Sequence, residues 1–198
     1  MKLKKSWIII AIIVLLVIIG YSSFKNSYNS MVTMEENVNG KWAQVENVYQ
    51  RRADLIPNLV NTVKGYASHE RETLEGVVEA RAKATSVNVN AEQLTPETFA
   101  RFQEAQEGLS SALSRLMVVV ERYPDLKANQ NFIELQAQLE GTENRIAVER
   151  MKFNEATQNY NTFIKVFPKN LLASMFGFEK KPYFQAAEGA EQAPEVQF

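Results

Sequence analysis

The single histidine of this 198-residue chain, His69, lies in the run SHERET, where a His-Glu pair invites comparison with zinc peptidase helices. That chemistry needs a second histidine four residues on, so that both rings face one metal, and the position holds Thr73. A di-iron site of the Glu-x-x-His kind fails too, because its glutamate would have to stand where Tyr66 does. Glu70, Glu72, Glu75 and Glu79 then read as a solvated helix face, with His69 a helix-boundary residue in a local hydrogen bond. Without cysteine, thiolate catalysis and anchoring through a lipid-modified cysteine are both excluded. A Ser-His-Asp triad would have to use Asp54 or Asp125, the only aspartates, and neither a GxSxG turn nor a glycine-rich phosphate loop is present. The inventory predicts no catalytic residue, no metal site and no cofactor.

Polar density inside apolar stripes is the more informative feature. QRRADLIPNLVNTV sets Arg51, Arg52, Asp54 and Asn58 among core-spaced aliphatics, and GTENRIAVERMKFNEATQNYN interposes Glu143, Asn144, Arg145, Glu149, Arg150 and Asn154. Charges at such positions are costly unless paired, so these residues either form cross-helix networks or face a partner. A subunit interface whose register the polar pairs specify is the functional form of the second option. It makes a homo-oligomer the expected partner.

The elements that position these residues begin with residues 6–24, which carry no ionisable side chain and include WIIIAIIVLLVII. At the helical rise they span roughly 28 Å, enough to cross a bilayer once. A signal peptide is the competing reading, but the residues after the apolar run, Gly20, Tyr21, Ser22, Ser23 and Phe24, make a poor cleavage site, so a retained anchor is expected. Lys2, Lys4 and Lys5 outweigh Lys25 on the far flank, which predicts a cytoplasmic N-terminus and an extracytoplasmic domain in the cell membrane. Setting aside those four from the 22 basic residues leaves 18 against 23 acidic ones, a balance of −5. Such a domain has no electrostatic footprint for nucleic acid or for anionic lipid heads.

Beyond the span, Met31, Val38, Trp42, Val45, Tyr49, Ile56, Leu59, Val63 and Tyr66 recur at steps of three, four and seven, the stripe of a long amphipathic helix that Pro57 should kink. A second helix is expected over 68–85, with a loop in SVNVNAEQL. Thr95, Pro96 and Glu97 start a third, and Pro124 and Asp125 end it. A fourth runs from about 129 to 167, closed by Pro168. The fold class is therefore all-α, with an N-terminal transmembrane helix followed by an up-and-down four-helix bundle with coiled-coil-like packing and a long first helix. Parity returns the fourth helix to the membrane, where LLASMFGF at 171–178 forms either an interfacial patch or a cap on the bundle. The expected boundaries are a basic tail at 1–5, the span at 6–24, the bundle at 25–178 and a disordered acidic tail at 179–198.

YNSMV at 28–32, VYQRRADLIPNLVNTVKGYASHE at 48–70, GTENRIAVERMKFNEA at 141–156 and YNTFIKVFP at 160–168, followed by FGF, closely resemble the LemA family. The resemblance covers nearly all of the chain beyond the span. It implies a short N-terminal tail, one membrane span and a helical bundle, and supplies no catalytic assignment. Some members have been pictured with the domain in the cytoplasm; the lysine bias argues the other way and is kept. If the first and fourth helices lie antiparallel, Tyr28 and Asn29 meet Tyr160 and Asn161 at the membrane end, while the Arg51–Asn58 block meets the Glu143–Arg150 block. Two readings of function follow: a non-enzymatic, membrane-anchored scaffold that self-associates, or an extracytoplasmic ligand-binding or sensor module acting through a partner membrane protein.

Overall fold

The structure, a computed structural model, describes residues 5–87, 89, 91 and 94–185. Most of the expected basic tail, part of the SVNVNAEQL loop and the stretch AAEGAEQAPEVQF lie outside the described residues. Among those described, every regular element of any length is helical: α1 (Lys5–Tyr66), α2 (Arg71–Ser86), α3 (Pro96–Val120), α4 (Pro124–Lys127), α5 (Gln130–Lys165) and α6 (Lys169–Phe176). α1 is unbroken for 62 residues and runs through the exposed Pro57. It is long and apolar enough to cross a membrane, with a mean hydropathy of 2.7 over its most apolar stretch.

Local chemistry sets the helix limits. Thr95 caps α3 by accepting from the Thr98 N–H, while the Thr98 hydroxyl accepts from the Thr95 N–H, and Pro96 occupies the first turn, where a missing N–H costs nothing. Asn129 does the same for α5, its Oδ1 accepting from Phe132 N–H, and its amide also donates to the Tyr66 hydroxyl at 2.9 Å. α6 stops at Gly177, whose φ of 76° lies in the left-handed region, and the Phe178 N–H folds back onto the Ala173 carbonyl.

The chain packs as two compact units. The first takes the described residues of Met1–Val38 and Ala156–Lys180. Met31, Val38, Ala156, Tyr160, Ile164 and Ala173 are its buried apolar side chains. Phe176 packs edge-on against Phe24 and Tyr28, at centroid distances of 5.6 and 4.9 Å, and Phe178 meets Tyr28 at 5.7 Å. The apolar side chains of residues 7–19 make no part of any core; each is close to half exposed or more.

The second unit takes the described residues of Asn39–Glu155 and Lys181–Phe198. Its aliphatic core joins Ile56, Leu59 and Val63 of α1, Leu74 and Val77 of α2, Leu109, Leu113 and Leu116 of α3, Leu126 of α4, and Phe132 and Leu139 of α5. An aromatic cluster centres on the fully buried Trp42, whose indole N–H donates to the Val89 carbonyl at 2.7 Å and whose rings contact Phe99, Phe102 and Phe153. Phe184 completes it, stacked on Trp42 and tilted against Phe99 at 4.7 Å. Asn154 holds the Phe184 backbone from both sides, accepting its N–H and donating to its carbonyl, both at 2.9 Å. Packing therefore continues past the tail boundary expected at 178, because a buried aromatic and two backbone hydrogen bonds offset the entropy of ordering residues 181–185.

Two predictions follow. Phe184→Ala should cost about 3 kcal/mol, read as a lowered denaturant midpoint, since it empties a site walled by rings; an unchanged midpoint would mean that the segment contributes nothing. Glu46, half-buried one turn from Trp42, has its carboxyl pKa raised by burial, partly offset by hydrogen bonding from Trp42. A raised carboxyl pKa penalises the ionised folded state, so the penalty is absent below the ordinary glutamate range and grows as pH rises through the raised value. Glu46→Gln is accordingly expected to melt higher than the parent at pH 7, with the difference closing near pH 4; equal melting at both pH values would show the carboxylate to be well solvated.

Candidate functional site

Arg52 follows Tyr49 by three positions and precedes Ile56 by four, which places it squarely on the buried stripe of α1, and it is 1% exposed. A guanidinium there must have its N–H groups met by protein acceptors. Nη1 donates to Glu143 Oε1 at 2.6 Å and to the Ser110 hydroxyl at 3.0 Å, and Nη2 donates to Gln106 Oε1 at 2.7 Å. Gln106 is itself buried and passes its amide on to the Ala84 carbonyl at 3.3 Å, so the network draws in α1, α2, α3 and α5. The Tyr49 ring lies 5.0 Å from the guanidinium carbon. Burial pushes the Tyr49 phenol up, against the opposing pull of Arg150 and Arg52. Arg52 Nε, also buried, has no partner among the described residues.

The cavity beside this network, between Arg52, Ser110, Glu143 and Arg150, holds about 60 Å³. That is far too small for an organic substrate. The arrangement holds charge in place, and on its other side Ser110 and Glu143 line an open groove of about 560 Å³ with Leu113, Met117, Leu139 and Asn144.

The remaining polar residues of the two stripes separate into distinct surroundings. Arg51, Asp54 and Asn58 are exposed on α1; Asp54 accepts from the Gln50 amide one turn back, and the Asn58 carbonyl accepts from Thr62. Asn144 and Arg145 are exposed on α5, next to the exposed Val148 and Met151. Glu149 pairs with Lys152 at 2.7 Å. Arg150 lies over the Phe184 ring at 4.4 Å and donates to the Gln185 carbonyl while also reaching Tyr49 of α1, and Asn154 serves the C-terminal segment. Arg81 gives a second inward guanidinium contact, donating to the Ala53 carbonyl at 2.7 Å.

In the first unit Tyr160 and Asn161 are buried, while Tyr28 and Asn29 are exposed. Tyr28 turns its ring to Phe176 and Phe178, and the Asn29 carbonyl accepts from Thr33. The Tyr160 hydroxyl finds no hydrogen-bond partner among the described residues, and burial, followed by the carboxylates of Glu35 and Glu179, pushes its pKa far up. His69 is exposed. Its neighbour Glu70 receives the Tyr123 hydroxyl at 3.0 Å and the Arg122 guanidinium at 3.0 Å, which ties the α1–α2 turn to the end of α3 and raises the Tyr123 pKa through that hydrogen bond. No group of three or more His, Asp or Glu side chains suited to hold a metal occurs among the described residues.

Gln106, Ser110 and Phe184 were not singled out from the sequence. Gln106 could have been: it stands between Phe102 and Leu109 on the stripe of α3, where a polar side chain requires a buried partner. Phe184, past the last helix, carried no periodic signal.

A family model described as the LemA family matches residues 41–198. Magnetosome protein MamQ 2 of Paramagnetospirillum magneticum is 30% identical over 194 residues, covering 89% of this chain and 71% of that protein. Magnetosome protein MamQ of Magnetospirillum gryphiswaldense is 30% identical over 195 residues with the same coverage. Protein LemA of Metamycoplasma hominis is 22% identical over 170 residues, covering 86% of this chain and 74% of that protein.

The surroundings of the arginines set the expected cost of removing each. Arg52→Ala should cost about 3 kcal/mol, because it strands Gln106 and the Glu143 carboxylate around an emptied buried site, and Glu143→Gln about 2 kcal/mol, since a hydrogen bond to a charged group becomes neutral. Arg145→Ala should stay within about 0.5 kcal/mol of the parent. Denaturant midpoints that rank Arg145 with Arg52 would refute this division.

Proposed function

The chain belongs to the LemA family, and on that premise we propose that it is a non-enzymatic helical scaffold that is anchored in the bacterial cell membrane and self-associates into a homo-oligomer. It is a membrane-associated, all-helical protein with one N-terminal helix able to span a bilayer. In this reading the N-terminus is cytoplasmic, the four longer helices run up and down as a bundle outside, and the scaffold works by presenting one face repeatedly. The observation that carries it is the outward strip of α5. Asn144, Arg145, Val148 and Met151 follow one another at steps of one, three and three, all exposed, with Val148 43% and Met151 63% accessible. Exposed Met, Val and Arg on one helix face, with no ion pair for Arg145 among the described residues, have the composition of an interface core rather than of a solvated helix back. Arg51, Asp54 and Asn58 supply a matching polar surface on α1.

An open groove of about 670 Å³ favours a second reading, the ligand-binding or sensor module acting through a partner membrane protein. It is lined by Val60, Leu74 and Val78 together with Lys64, Arg71 and Glu75. That composition suits an amphipathic small molecule.

Light scattering on protein extracted gently in detergent separates the two. A mass of several protomers is expected, falling to one protomer in Arg145→Glu combined with Met151→Glu while helix content by circular dichroism stays unchanged. A parent that is monomeric at every concentration would end the scaffold reading and move attention to the groove.

A further inference from the structure

We propose that α6 is a second membrane contact, an interfacial helix lying in the headgroup region of the bilayer that residues 6–24 cross; the inference rests on the reading of those residues as an inserted span. Leu171 and Met175 stand one helical turn apart and are 60% and 64% exposed, and Phe167, just before the helix, is 80% exposed. Val166 is exposed as well, whereas Phe176 turns its ring toward Phe24 and Tyr28. Ala173 is buried on the opposite side, so Leu171 and Met175 lie on the face of the helix that is turned away from the unit it belongs to.

What places this face at a membrane is its attachment. Phe176 packs on Phe24, the last residue of the uncharged stretch, and on Tyr28 one turn further along α1. Within this unit α6 is therefore held at the level where the span ends, which in an inserted protein is the boundary between hydrocarbon and headgroups. Aromatic and lysine side chains are the residues that settle there, and Tyr21, Phe24, Tyr28, Phe176, Lys25 and Lys169 supply them. Lys169 lies over the Phe163 ring, its Nζ 3.6 Å from the centroid. The lipid surface is the occupant because the apolar face of α6 continues the apolar surface of the span, and a bilayer that accepts the one reaches the other. The role is independent of which side of the membrane the domain occupies.

The absence of cysteine allows single labels on the full chain. An environment-sensitive fluorophore is placed on Met175→Cys or on Ile13→Cys, and each protein is reconstituted in phosphatidylcholine–phosphatidylglycerol vesicles at about one copy per vesicle. The expected result is a blue-shifted Met175→Cys label quenched by lipids with a shallow nitroxide, an Ile13→Cys label quenched by a deep one, and loss of the Met175→Cys shift when Phe167→Glu and Leu171→Glu are added. A water-exposed label at position 175 beside a deeply quenched one at 13 would overturn the proposal and leave the span intact. Shielding at 175 that arises only with many copies per vesicle would overturn it in favour of a second protein copy. A water-exposed label at 13 would remove the span and this proposal together. Circular dichroism on the glutamate variant separates loss of membrane contact from loss of fold.

Discussion

One unbroken helix presents two different kinds of surface. Over residues 7–19 α1 turns apolar side chains outward all the way round, and from Met31 onward it is apolar on a single stripe whose members, Val38, Trp42, Val45, Ile56, Leu59 and Val63, are fully buried. A helix can carry both because its backbone hydrogen bonds are closed internally and ask nothing of either surrounding. Every core in the molecule is then built against that stripe: the first unit against Met31 and Val38, the second against Trp42 through Val63. The polarity of α1 sets which residues of α2, α3 and α5 must turn inward.

One fully buried charge, Arg52, interrupts the stripe, and the interruption is what gives the second unit direction. Aliphatic contacts between Leu59, Leu109 and Leu139 tolerate small slips along the helix axis, because burial is rewarded by area rather than orientation. The Arg52 guanidinium does not. Its donors must meet Gln106 and Ser110 on α3 and Glu143 on α5, and a shift of one turn would leave a charge buried without acceptors. Glu143 is half-exposed, so the pair keeps contact with water and avoids the full cost of burying two ions. The ring cluster around Trp42 adds area and shape, with Phe184 closing it from a segment outside any helix.

Much of this was legible beforehand. The span followed from an uninterrupted apolar run, the helices from steps of three and four, and the start of α3 from Thr95 and Pro96. α1 ends at Tyr66, just before the second helix expected from 68. Less legible was the fate of individual polar residues. Arg51 and Arg52 are adjacent and identical in type, yet a 100° rotation sends one to solvent and the other into the core. Arg145 was expected to behave like Arg52; it stands one position before the buried Ile146 and points outward. Arg150, read within a block that faces α1, also reaches the segment ending at Gln185, and Asn154 holds that segment too. That outcome depends on a long-range contact with no periodic trace.

The sequence by itself determined which stretch is apolar and long enough to cross a bilayer and which stretches are helical, because hydropathy and helix periodicity are local properties carried by neighbouring side chains. Only the tertiary structure decided which polar groups are partners. Hydrogen-bond satisfaction depends on distances of about 3 Å between residues more than fifty positions apart, as for Arg52 with Gln106 and Glu143. The same holds for the placement of α6 against Phe24: composition marked it as apolar, but the contact between its ring and the end of the span exists only in the folded chain.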